Sequence, residues 1–155
     1  MARGFRGFRR NKDDDAGGTL WLYDRDDSSH NVSWSPTVPW YRLAAVEYHP
    51  QSYNIYSEYV RRKGQKILYV KGSFYAEVPY GSSSQYSISI EHDGTSQTIA
   101  SGSYGSSQGG TKTINAQLDI SGISEFRIRV YLYAKSGSTG NDAVANIMLT
   151  EVYAE

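Results

Sequence analysis

The chain has 155 residues, with sixteen cationic side chains balanced by sixteen acidic ones, fourteen tyrosines and no cysteine. That length supports one domain with its own hydrophobic core. The lack of cysteine excludes a disulfide framework and a thiolate metal site, and no window approaches the ~18 consecutive apolar residues that signal a membrane span.

Zero net charge conceals an asymmetry. Residues 1–12 hold Arg3, Arg6, Arg9, Arg10 and Lys12 and no acid, which leaves −5 on the remainder. Gly4, Gly7 and the arginines interrupt any apolar run, so this stretch lacks the core of a signal peptide. Residues 1–18 show no hydrophobic periodicity and read as an N-terminal arm, flexible in the free chain. Its RGF unit repeats every three residues. In an extended polyproline-like chain this puts the arginines on one edge and Phe5 and Phe8 on another. Such a strip suits docking on a neighbouring subunit, with nucleic acid as the alternative partner through its cations.

The domain is expected over residues 19–155. Its first part, to about Arg62, is irregular: LWLY, the polar loop DRDDSSHN, the proline-bracketed WSPTVPWY, then RLAAVEY and YNIYSEYV. RLAAVEY reads as a strand or a helical turn, because no capped pattern of helical length supports it. Trp34, Trp40 and Tyr41, stiffened by Pro36 and Pro39, form a candidate aromatic patch that either buries against a neighbour or binds a glycan. Arg61, Arg62, Lys63 and Lys66 read as a solvated turn, or as a patch meeting acids of another copy.

From Lys66 onward the pattern has a period of two. Leu68, Val70, Phe74, Ala76 and Val78 share one side, with Gly72 suggesting a bulge or bend. Tyr86, Ile88 and Ile90 alternate with serines, and Ile114, Ala116, Leu118 and Ile120 alternate with polar residues. Phe126, Ile128, Val130 and Leu132 are expected to face a core, leaving Arg127, Arg129, Tyr131 and Tyr133 outward as a candidate interface. AVANIMLTEVY reads as a central strand. Glycine- and serine-rich turns, among them Asp93-Gly94, join these runs. Some eight or nine strands without a convincing helix predict an all-β fold: an antiparallel β-sandwich of two sheets, with jelly-roll topology preferred over an immunoglobulin-like one.

The succession FYAEV, QYSISIEHDG, SEFRIRVYLYA and AVANIMLTEVY, over roughly residues 66–153, resembles the single jelly rolls of viral coat and decoration proteins, phage fibre domains and carbohydrate-binding modules. An arginine-rich arm ahead of such a domain is similar to the layout of many icosahedral virus capsid proteins. This resemblance implies a structural protein of a virion that assembles with copies of itself or with other virion proteins. It would reside in the virion, or in the cytoplasm of the producing cell before assembly. The alternative it implies is a glycan-binding fibre or module.

Catalytic and metal signals are weak. Gly105-Ser106-Ser107-Gln108-Gly109 fits G-x-S-x-G, but in a hairpin loop without the following helix that a nucleophile elbow needs. His30, His49 and His92 share no ligand spacing, and Asp24, Asp26, Asp27 and His30 lack the order of a calcium loop. No enzyme, cofactor or metal is expected.

Overall fold

The computed structural model describes residues 18–27, 29, 40–45, 49–137 and 142–155, and for Trp40 the backbone alone. The contact arm predicted from Arg3 to Lys12, together with Trp34, lies outside the described residues.

Among the described residues, ten strand segments follow one another: β1 Leu20–Asp24, β2 Trp40–Ala45, β3 Pro50–Tyr56, β4 Val60–Arg61, β5 Ile67–Glu77, β6 Ser83–His92, β7 Thr95–Tyr104, β8 Gly109–Asp119, β9 Glu125–Lys135 and β10 Ala143–Ala154. The stretch that looked irregular thus forms β1 to β4, and RLAAVEY contributes to a strand. These four are the broken edges of the two sheets. β1 and β2 lie end to end along β10, and β3 and β4 end to end along β9. Each is too short to show a period of its own.

One sheet has the order β1/β2, β10, β5, β8, and the other β3/β4, β9, β6, β7, with every pairing antiparallel. When each broken edge is counted as one strand, the first pairs with the eighth, the second with the seventh, the third with the sixth and the fourth with the fifth. Those are the rungs of one long hairpin rolled into two sheets, which is a jelly roll.

The core follows from alternation. Phe126, Ile128, Val130 and Leu132 of β9 are fully buried, whereas Arg127, Arg129, Tyr131 and Tyr133 lie on the outer face. Rings from opposite sheets meet inside: Phe74 packs on Tyr86 at 4.8 Å and on Tyr104 at 6.2 Å. At the edge formed by the broken strands, Tyr41 stacks on Tyr53 with centroids 4.0 Å apart and rings 12° from parallel.

Gly72 is not the bulged residue that its position in the pattern suggested. It pairs without a slip to Ile114, and on its other side to Leu149, after which β10 carries Thr150 as the extra residue. The bulge explains why the buried set of β10 changes parity, from Ala143, Ala145, Ile147 and Leu149 to Val152 and Ala154. Gly72 serves close approach instead. A Cβ there would lie 2.7 Å from the Leu149 Cα and would also press on the Met148 carbonyl oxygen.

Two local devices complete the edges. The β6–β7 connection is a two-residue turn with Asp93 at φ 51° and Gly94 at φ 73°, the pair of left-handed residues that a type I′ hairpin requires. Where β3 gives way to β4, the Ser57 N–H donates to the Ile128 carbonyl at 2.9 Å. The Ile128 N–H in turn donates to the Ser57 hydroxyl at 2.8 Å, so a side chain bridges the gap in the ladder.

Candidate interaction surface

The outer face of the β3–β9–β6–β7 sheet carries Arg127, Arg129, Tyr131 and Tyr133, the outward residues that the sequence singled out. Because β9 lies between β3 and β6, its outward residues meet neighbours on both sides. Arg129 is opposite Tyr56 and Ser89, Tyr131 opposite Asn54 and Ser87, and Tyr133 opposite Ser52 and Gln85. An Arg/Tyr column therefore borders a serine-rich field that continues onto β7 as Ser96, Thr98, Ser101 and Ser103.

The column is held in place. Arg127 donates from Nε to the Glu91 carboxylate at 2.8 Å. Its guanidinium lies over Tyr56 at 4.2 Å and near Tyr59 at 5.1 Å. The hydrogen bond to Glu91 raises the guanidinium's pKa above its ordinary value. Arg129 donates from Nε to Asn54 Oδ1 at 2.8 Å and approaches the Tyr131 ring at 5.4 Å. Planar cations stacked on rings lose little further side-chain entropy when a second surface covers them. Tyr and Arg are among the residue types enriched in the cores of protein interfaces.

The other predicted residues are distributed differently. Tyr41 is half-buried and gives one ring face to Tyr53. The backbone of Trp40 pairs with Met148 in β2, and its ring lies outside the described residues. The basic cluster forms an ordered turn. Arg62 donates to the carbonyls of Ile123 and Gln65, and the buried Gln65 amide donates to the Gly18 carbonyl at 2.7 Å. Gly18 therefore lies at the turn that carries Lys63 and Gln65, although more than forty residues separate them in sequence.

In the acidic loop, Asp24 accepts the Asp26 N–H, and Asp27 accepts both the N–H and the hydroxyl of Ser29. The described residues hold no group of three or more His, Cys, Asp or Glu side chains arranged for a metal. The G-x-S-x-G serine, Ser107, sits at φ 59° in a turn that leads directly into β8. No described helix is long and apolar enough to cross a membrane.

The chain matches no protein-family model and no curated protein. Among solved structures it is similar to a chain of the infectious bursal disease virus Gt strain, with a TM-score of 0.39 and 16% identity, over 74% of this chain and 32% of that one. A chain of the Gx strain matches with a TM-score of 0.36 and 12% identity, over 74% and 30%. This chain thus spans about a third of the length of those viral chains.

Three features of the surface were not read from sequence. On the outer face of the other sheet, Tyr153 stands between Trp21, at 4.9 Å, and Tyr69, at 5.1 Å. Lys71 bridges Tyr153 and Glu151. A cleft of about 670 Å³ opens at one end of that sheet, lined by Arg42, Tyr75, Glu77, Gln108 and Asp142 among others. Its charges are mixed, and Tyr75 donates to Glu77 at 2.6 Å. Nothing local to LWLYD or EVYAE pointed to a meeting of Trp21 and Tyr153.

Proposed function

We propose that the protein is a structural component of a virion or similar particle. In this reading the jelly roll self-associates through the outer face of the β3–β9–β6–β7 sheet, and the N-terminal arm contacts neighbouring subunits. The observation that carries this is the outward Arg127, Arg129, Tyr131 and Tyr133 column, whose two arginines are pre-positioned by Tyr56, Asn54 and Glu91. The arm's five cations and two phenylalanines suit a partner of the same kind, since the rest of the chain carries a net −5.

A glycan-binding module would need an open ring face for a pyranose. Of Trp34, Trp40 and Tyr41, which that reading would use, Tyr41 has one face stacked on Tyr53, while Tyr59 and Tyr80 are exposed elsewhere.

The test is the mass of the native assembly by light scattering. Full-length chain should associate, and Tyr131→Ser/Tyr133→Ser should weaken association while leaving the fold intact. In the arm, Phe5→Ser/Phe8→Ser should weaken assembly at least as much as Arg6→Gln/Arg9→Gln. A strictly monomeric chain that binds an oligosaccharide would overturn the reading. An arm whose arginines alone matter, through salt-sensitive nucleic-acid binding, would reassign it to a genome.

A further inference from the structure

Among the described residues, every sheet edge except one is broken or charged. β1 to β4 are segments of five, six, seven and two residues, and β8 carries Lys112 and Asp119. The exception is β7. Its ten residues, TSQTIASGSY, contain no charge and no proline, and no charged residue occurs between Asp93 and Lys112. Among the described residues it pairs with β6 on one side and with no strand on the other. Folded proteins blunt such edges with lysine, proline or short strands, because an open row of N–H and C=O groups templates another strand.

The irregularity that β7 does possess makes it self-complementary. Ile88 pairs with Ala100 and Ser89 with Thr98, so Ile99 is an extra residue. Before it, Ser96 and Thr98 lie on the outer face, and after it Ser101 and Ser103 do, because they oppose Glu91, Ser89, Ser87 and Gln85. An antiparallel copy related by a two-fold axis between Ile99 and Ala100 places Ser96 opposite Ser103 and Thr98 opposite Ser101. Without the bulge that register would set outward residues against inward ones, since one residue of slip reverses every side chain.

We infer that β7 is the pairing edge for a second copy of this chain, joining the β3–β9–β6–β7 sheets of two molecules into one continuous sheet across a two-fold axis. The occupant is a second copy because β7 has no charged residue of its own, the Lys112 ammonium lying over Tyr104 at its end, while its hydroxyl residues pair well with themselves. A two-fold contact of this kind closes at two copies and does not propagate. The inference stands apart from the Arg/Tyr face and holds whether or not that face assembles particles.

The experiment measures self-association of the full chain by sedimentation equilibrium, with amide hydrogen exchange of residues 95–104 at low and high protein concentration. Wild-type chain should associate, and its β7 amides should exchange more slowly as concentration rises. Ser96→Glu/Ser103→Glu puts like charges opposite each other twice and should raise the dissociation constant at least about tenfold. Ser96→Lys/Ser103→Lys should do the same, and mixing these two variants should restore pairing. Ser96→Glu/Ser103→Lys should pair at least as well as wild type, because each carboxylate then meets an ammonium group across the axis. All four substitutions fall on exposed positions, and circular dichroism checks the fold of each variant. Concentration-independent exchange in β7, or equal loss in the Glu/Glu and Glu/Lys variants, overturns the inference. Association that survives Glu/Glu but falls with Tyr131→Ser/Tyr133→Ser overturns the edge and leaves the particle reading standing.

Discussion

The Arg127 guanidinium lies 4.2 Å from the centre of the Tyr56 ring while its Nε holds Glu91 at 2.8 Å, tying β3, β9 and β6 together on the outer face of one sheet. A partly exposed cation over an aromatic face is worth about 0.5–1 kcal/mol. Replacing Tyr56 by Leu keeps apolar cover and removes the ring quadrupole. The coupling between Tyr56→Leu and Arg127→Gln in a double-mutant cycle should therefore fall in that range when measured by urea unfolding. A coupling indistinguishable from zero would mean that the stacking is incidental.

Gly72 meets the backbone of β10 so closely that a methyl group has no room, and the neighbouring atoms belong to the main chain and cannot rotate away. Gly72→Ala should destabilise the fold by roughly 1–3 kcal/mol, the range for overpacked cores. Gly122→Ala, at a turn with nothing within 4 Å, should stay within about 0.5 kcal/mol of wild type. Thermal melting of the two variants side by side provides the check.

Ser57 is 4% exposed, and its hydroxyl accepts the Ile128 N–H where the edge ladder is interrupted. Ser57→Ala leaves that N–H buried without an acceptor, a loss of about 1–3 kcal/mol. Amide exchange at Ile128 should accelerate in this variant, whereas Ser57→Thr, which keeps the hydroxyl, should preserve protection. Unchanged exchange in both would show that another acceptor replaces the hydroxyl.

Asp119 accepts the Ser121 N–H at 2.9 Å and the Ser121 hydroxyl at 2.6 Å in the turn from β8 to β9. The Ser121 hydroxyl, then the Ser121 N–H, and Lys66 further off lower its pKa below the ordinary carboxylate value. The folded-state pKa lies below the unfolded one, so the contribution to stability is present above the unfolded value and is lost as pH falls through the folded one. Stability of wild type should therefore decline more steeply than that of Asp119→Asn as the solution is acidified through the carboxylate range. Carbon-13 NMR titration of the carboxylate reads the shift directly, and a midpoint at or above the model-peptide value would contradict it.

Alternation along the chain was enough to assign which residues of β5, β6, β8 and β9 face inward. Alternation is a local property: in Phe126, Ile128, Val130 and Leu132 each residue's face is set by its neighbours in the same strand, and burying one apolar face accounts for the whole pattern. The Asp93-Gly94 turn was legible for the same reason, since left-handed φ values are a matter of residue type. Whatever depends on pairing came from contacts between distant segments. Leu20–Asp24 and Trp40–Ala45 are strands because β10 supplies their hydrogen bonds, and runs so short have no period to betray them. The bulge assigned to Gly72 belongs to Thr150, because a register shift is a relation between two strands and its small residue lies on the strand opposite. Trp21 with Tyr153, Arg127 with Glu91 and Gly18 with Gln65 meet because a rolled hairpin brings distant segments together, and burial of the shared core, not any local preference, holds those segments side by side.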